Sequence, residues 1–180
     1  MRIKTGESTA LIIDIQEKLF PHIHDHDVLA RNTGILLEGF KILGIPVIVT
    51  EQYTRGLGFT IPQLKSGMEG IVPLEKTSFS CCDDPGFNEA FGRLDKKYII
   101  IAGIETHVCV LQTAVDLLEK GFIPVIVEDC VSSRNLNDKQ IAIERMRQEG
   151  ALITTYESIL FELTRYSGTA DFKAISKLVK

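Results

Sequence analysis

Three residues that could share one reaction lie far apart in the chain but at similar places in its pattern. Cys109 stands in GIETHVCV, residues 103–110, where the apolar run KYIIIAG gives way to the helical pattern LQTAVDLLEKG. Asp14 closes the apolar run TALIID (9–14), and Lys76 sits in PLEKTSFSC, ahead of KYIIIAG. A cysteine on the opening turn of a helix lies at the positive end of the helix dipole, which favours thiolate over thiol. An ordinary thiol, with a pKa of about 8.5, is mostly protonated at neutral pH, so a nucleophilic cysteine needs a proton acceptor or a positive neighbour. Asp14 can accept the proton, and Lys76 can stabilise the thiolate and hold the carboxylate. Backbone N–H groups in the turn after KYIIIAG would then face a carbonyl under attack. Each residue also has a plainer reading. An aspartate can cap a turn, a loop lysine is usually a solvated charge, and a single cysteine is often a small core residue.

The elements that would bring the three together follow from hydrophobic patterning. Apolar runs recur at 9–14, 45–50, 97–103, 122–129 and 151–155. They are near-continuous rather than alternating, as strands buried on both faces of a parallel sheet are. Between them, 28–44, 108–121 and 138–150 place apolar residues at helical spacing and end at glycine. Strand and helix alternate, which predicts an α/β fold: a three-layer α/β/α sandwich around a mainly parallel, doubly wound, Rossmann-like sheet. In such sheets ligands bind beyond the carboxyl ends of the strands, where Asp14 and Cys109 fall. The long stretch 51–96 is rich in glycine and proline, and a short helix near 85–94 with a pocket-walling loop is expected there. The C-terminal stretch 169–180 has the pattern of an amphipathic helix.

With 180 residues, 44% apolar and 24% charged, the chain suits a single domain over 1–180. The net charge of −4 comes without any basic cluster, so neither nucleic acid nor an anionic membrane is an expected partner. The N-terminus lacks a signal-type pattern and no run reaches spanning length, so a cytoplasmic location is expected. Four cysteines, at 81, 82, 109 and 130, show no metal-type C-x-x-C spacing and read as free thiols.

ALIIDIQEKLF, GIPVIVTEQY, EKTSFS, AGIETHVCV and EDCVSSR, in this order over nearly the whole chain, resemble the isochorismatase-like cysteine hydrolase family. The TEQY and GLG elements with EKTSFSC are most similar to the isochorismatase domain-containing subgroup. The resemblance implies an Asp14, Lys76 and Cys109 catalytic triad and a cis peptide at Ile104-Glu105. It also implies an oxyanion hole from the N–H groups of Glu105 and Cys109, hydrolysis of a small-molecule amide or related C–N bond through a thioester, and a homo-oligomer, dimer or tetramer. Gln16, Phe20, Tyr53 and Phe79 are the candidates to line the substrate pocket. Nicotinamidase members carry an aspartate and histidines for a metal shortly after the second strand, but TEQYTRGLGFTIPQL (50–64) contains neither residue type. No metal or other cofactor is therefore expected, and nicotinamide is disfavoured as substrate.

Other motifs have modest readings. The three histidines of HIHDH (22–26) fit a solvated turn better than a metal site. EDCVSSR (128–134) is expected to order the turn after the fourth run, with Ser132 or Ser133 capping a helix and Arg134 in an ion pair; Cys130 reads as a core thiol. Two alternatives to the hydrolase stand: a non-catalytic oligomeric binding module of the same fold, and a thiol-redox protein using Cys109 or Cys81-Cys82.

Overall fold

The structure is a computed structural model that describes residues 1–180. In chain order its elements are β1 (Ser8–Ile13), α1 (His26–Leu43), β2 (Val47–Gln52), α2 (Thr54–Leu57), β3 (Leu74–Lys76), α3 (Pro85–Gly92), β4 (Tyr98–Ile104), α4 (Leu111–Glu119), β5 (Ile123–Ser132), α5 (Leu136–Glu149), β6 (Leu152–Thr154), α6 (Tyr156–Thr164) and α7 (Ala170–Leu178). The six strands form one sheet of order β3-β2-β1-β4-β5-β6, and every pairing is parallel. The expected doubly wound sandwich is what the chain adopts.

Strand alternation divides the core in two. Ala10 and Ile12 of β1, with Tyr98, Ile100 and Ala102 of β4, pack under α1, α6 and α7 through Leu36, Phe40, Leu160 and Ile175. Leu11 and Ile13, with Ile99 and Ile101, pack under α3, α4 and α5 through Phe87, Leu117 and Met146. Both faces are covered, which is why the strands read as continuous apolar runs. Helix ends follow local chemistry: α1 stops at Gly44 with φ +66° and α5 at Gly150 with φ +113°.

Two elements depart from the sequence reading. β3 contributes only Leu74–Lys76 to the sheet edge and directly follows Pro73, too short a stretch to carry a period. α6 was not expected; Thr155 caps it through the Ser158 N–H, and Ile159, Leu160 and Leu163 bury its inner face. The short helix near 85–94 appears as α3, entered by Pro85 and capped by Asp84. No helix is long and apolar enough to cross a membrane.

Candidate active site

The strand order reverses between β1 and β4, and the crevice beyond their carboxyl ends is where a doubly wound sheet binds ligands. Asp14 follows β1, and the chain after β4 carries Cys109. Lys76 ends β3, while Thr50 and Gln52 sit on one face of β2, two residues apart. Four neighbouring strands thus deliver polar side chains to one point.

Asp14 is 1% exposed, in a left-handed conformation with φ +52°. Its Oδ2 accepts a hydrogen bond from Lys76 Nζ at 2.6 Å, and its Oδ1 accepts one from Thr50 Oγ1 at 2.7 Å. The Lys76 ammonium donates twice more, to the Ser78 and Phe79 carbonyls at 3.0 and 3.3 Å. Burial is the largest single influence and works against the Lys76 charge, but Asp14, by charge and hydrogen bond, together with the nearby Cys109 and Cys81 sulfurs holds the amine above the usual lysine range. The carbonyl-bearing loop is itself tied down, because Ser78 Oγ donates to the Ser80 carbonyl and Ser80 Oγ donates to Asp116 of α4.

Cys109 does not sit on the first turn of an ordinary α-helix. It lies in a π-helical turn, Thr106–Val110, that precedes α4 and follows a cis Ile104–Glu105 peptide. Its Sγ donates to Gln52 Oε1 at 3.3 Å. Burial, then the neighbouring Asp14 charge, push the thiol well above its ordinary range, with Lys76 pulling the other way. The expectation of a dipole-activated thiolate is corrected accordingly: Cys109 rests as a thiol, because desolvation of the anion exceeds the help from nearby positive charge.

Asp14, Gln52, Tyr53, Phe79, Glu105 and Cys109, with Leu19, Leu57, Ile104 and Val108, line a cavity of about 280 Å³. Of the candidate pocket residues, Tyr53 and Phe79 line it, both more than half exposed. Gln16 and Phe20 do not line it. Gln16 is fully buried one layer back, its amide clasping the Gln52 backbone, and Phe20 turns into the core against the His26 ring. Leu19 takes the wall position instead. Thr50 and Gln52 were missed by sequence reasoning, although the two-residue period of β2 places both on the side of Asp14. A broader surface groove of about 890 Å³ runs along β6 between α5 and α6, but it carries no cysteine and lies at the far sheet edge.

Other expectations resolve locally. Arg134 pairs with Glu105, its Nε 3.0 Å from Oε2. Ser132 and Ser133 do not cap α5; Asn135 does, while Ser132 Oγ donates to the His24 carbonyl and Ser133 Oγ lies 2.9 Å from His107 Nδ1. The side chains of 22–26 do not gather a metal set, and no three His, Cys, Asp or Glu side chains converge elsewhere either. Cys81, Cys82 and Cys130 are buried free thiols.

Sheet order, switch-point cavity and buried cysteine together define a doubly wound α/β protein with a cavity at the centre of its sheet. The isochorismatase domain matches residues 8–158, and the chain belongs to the isochorismatase family. Isochorismatase domain-containing protein 2 of Danio rerio is 40% identical over 178 residues, 99% of this chain and 89% of that protein. Among solved structures, the MAR1 ribonuclease of Caenorhabditis elegans superposes with a TM-score of 0.94 at 39% identity, covering 99% of this chain and 92% of that one. YcaC from Pseudomonas aeruginosa, solved with hexane-2,5-diol and covalent acrylamide, gives 0.91 at 27% identity over 98% and 91%.

Proposed function

We propose that this protein is a cysteine hydrolase of small-molecule amides or related C–N bonds, with Asp14, Lys76 and Cys109 as its catalytic triad. The observation that carries the reading is that Cys109 and a Lys76-held Asp14 carboxylate face one cavity whose other walls are mostly apolar. In the resting state Cys109 keeps its proton. On substrate binding Asp14 removes it, the sulfur attacks the carbonyl carbon, and the oxyanion is held by the N–H groups of Glu105 and Cys109. Collapse breaks the C–N bond as Asp14 returns the proton to nitrogen, and the amine leaves. Water then adds to the thioester with Asp14 as base, the C–S bond breaks, and the thiol is restored alongside a carboxylic acid. Lys76 holds the Asp14 carboxylate in place without touching the substrate.

The covalent acrylamide on the Pseudomonas aeruginosa relative supports a site open to small amide-bearing molecules. The ribonuclease name of the Caenorhabditis elegans relative favours RNA as a second reading. A net charge of −4 and a cavity lined by no lysine, arginine or histidine weigh against a phosphodiester substrate. A homo-oligomer, dimer or tetramer, goes with the amide hydrolase reading.

The test is Cys109→Ala in a screen of primary and secondary amides, with single-stranded RNA as a parallel substrate. Loss of amide turnover on the order of 10³-fold or more, with an unchanged melting profile, is expected. Undiminished hydrolysis in the variant overturns the mechanism, and RNA cleavage in place of amide cleavage overturns the substrate class.

A further inference from the structure

The cavity lining includes two acids but neither of the basic residues that pair with them. Asp14 and Glu105 both lie on the wall. Their positive partners do not. Lys76, 2% exposed, has its ammonium enclosed by Asp14 and two carbonyls. Arg134, its side chain 61% exposed, pairs with Glu105, giving it the main-chain N–H at 2.9 Å and Nε at 3.0 and 3.2 Å. The lining holds one thiol, two acids whose carboxylates are already paired, the Gln52 amide, the Tyr53 phenol and five apolar side chains. A carboxylate or phosphate entering this space would shed its hydration and find no cation on the lining, since Lys76 and Arg134 are already committed to Asp14 and Glu105. An uncharged carboxamide would suit the same wall: the Gln52 side-chain oxygen could accept from its N–H donors, and Leu19, Leu57 and Phe79 offer apolar surface to a short chain.

One acceptor is aimed at the reacting atom. Gln52 Oε1 lies 3.3 Å from Cys109 Sγ, while its Nε2 donates to the Thr77 carbonyl at 3.4 Å, which turns the oxygen toward the sulfur. The Gln52 backbone is held on both sides by the buried Gln16 amide: its N–H donates to Gln16 Oε1 at 2.7 Å, and Gln16 Nε2 donates to its carbonyl at 3.0 Å. An acceptor on a clamped strand end, within reach of any group bonded to sulfur, is suited to recognition.

We propose that this cavity selects uncharged primary carboxamides with a short apolar chain, and that Gln52 Oε1 accepts the hydrogen bond from the substrate NH₂ group. The proposal rests on the amide hydrolase reading for its reaction, but the selectivity belongs to the cavity and can be read without turnover.

Iodoacetamide and iodoacetate supply the probe, being nearly equal in size and sharing a leaving group. In each, the Cys109 sulfur forms a bond to the methylene carbon, the C–I bond breaks, iodide departs, and the thiol proton passes to Asp14. Rates at Cys109, read by peptide mass spectrometry, are divided by those of N-acetylcysteine in the same buffer. The normalised preference for iodoacetamide is expected to reach tenfold or more. A preference of one, as for the free thiol, overturns charge exclusion. In Gln52→Leu, whose backbone clasp is untouched, the preference is expected to fall at least fivefold; an unchanged preference overturns the role of Gln52. Butyramide and succinamate are then compared as substrates, and butyramide is expected to be hydrolysed at least tenfold more efficiently. Equal hydrolysis of the two overturns the selectivity. If neither is hydrolysed while the alkylation preference holds, the selectivity stands and the hydrolase reading falls.

Discussion

Lys76 does not line the cavity, yet the buried Asp14 carboxylate that does has it as its one cationic partner. Asp14 is buried with one cation and one hydroxyl as partners, and removing the cation leaves an uncompensated carboxylate in the interior. Breaking a buried pair from one side typically costs about 3–5 kcal/mol, whereas removing both charges is often far milder. Lys76→Met is therefore expected to lower unfolding stability by an amount in that range. Adding Asp14→Asn to the same chain is expected to recover at least half of the loss, as urea melts of the single and double variants would show. A double variant no more stable than Lys76→Met would mean that the loss lies in packing and not in charge. Asp14 and Cys109 were placed near strand ends because apolar runs mark where strands stop, whereas Lys76, on a strand too short to show in sequence, was picked out by the family resemblance. Gln16 and Phe20 were misplaced for a related reason: nearness to Asp14 in sequence says nothing of the direction a side chain takes once the chain has left the strand. Gln52 was hidden within TEQY, where only the two-residue period distinguishes it from Glu51, whose carboxylate turns to the Thr60 N–H and hydroxyl on the opposite side.

At the scale of elements, the approach of β1 to β4 sets how far Asp14 stands from the nucleophile turn. Ile13 pairs with Gly103 in register, and Gly103 adopts φ +141°. A Cβ there would overlap the Ile13 carbonyl oxygen and lie 2.7 Å from the Ile13 nitrogen and Cβ. Gly103→Ala must therefore push the two site-bearing strands apart or strain both, and a loss on the order of 3 kcal/mol or more is expected. Gly121 offers the comparison, since it has φ +84° but open space around its Cβ position. Gly121→Ala carries the backbone strain alone, with an expected cost of about 1–2 kcal/mol. Urea melts separate the two, and equal losses would show that strand separation plays no part. In sequence, Gly103 looks only like the end of a strand, because a close approach is a property of two strands and neither run records its partner. The same limit hid β3, which exists as a strand only through its pairing with β2, and the π-helical turn, which continues the helical pattern of α4 without interruption. The long, doubly covered strands β1, β4 and β5 were legible because burial on both faces is written in their own residues.

Across the whole molecule the free thiols act as a single alkaline weakness. Cys130 lies in the core under α1, and Cys81, Cys82 and Cys109 lie in the core on the other side of the sheet. Burial raises all four, Cys81 to about 12 and Cys82 to about 11, with Cys130 and Cys109 also held well above the ordinary range. An unfolded chain ionises the same thiols near pH 8.5. A raised folded pKa contributes stability that is complete below the unfolded value and is lost as pH climbs toward the folded one. Each such thiol lowers unfolding free energy by about 1.4 kcal/mol per pH unit once the unfolded chain is fully ionised, so the four together approach about 5.5 kcal/mol per unit. Lys76, raised by Asp14, adds to the loss above its own unfolded range. Urea melts from pH 8 to 10.5 are expected to show a shallow start and then a steep fall. Cys130→Ala shifts the whole curve down through the lost packing, but its defining effect is on slope: with one thiol fewer, the fall between pH 9.5 and 10.5 is expected to be shallower by about 1.4 kcal/mol per unit. Parallel curves for wild type and variant would mean that Cys130 ionises as readily in the folded protein as in the unfolded chain, which its complete burial opposes.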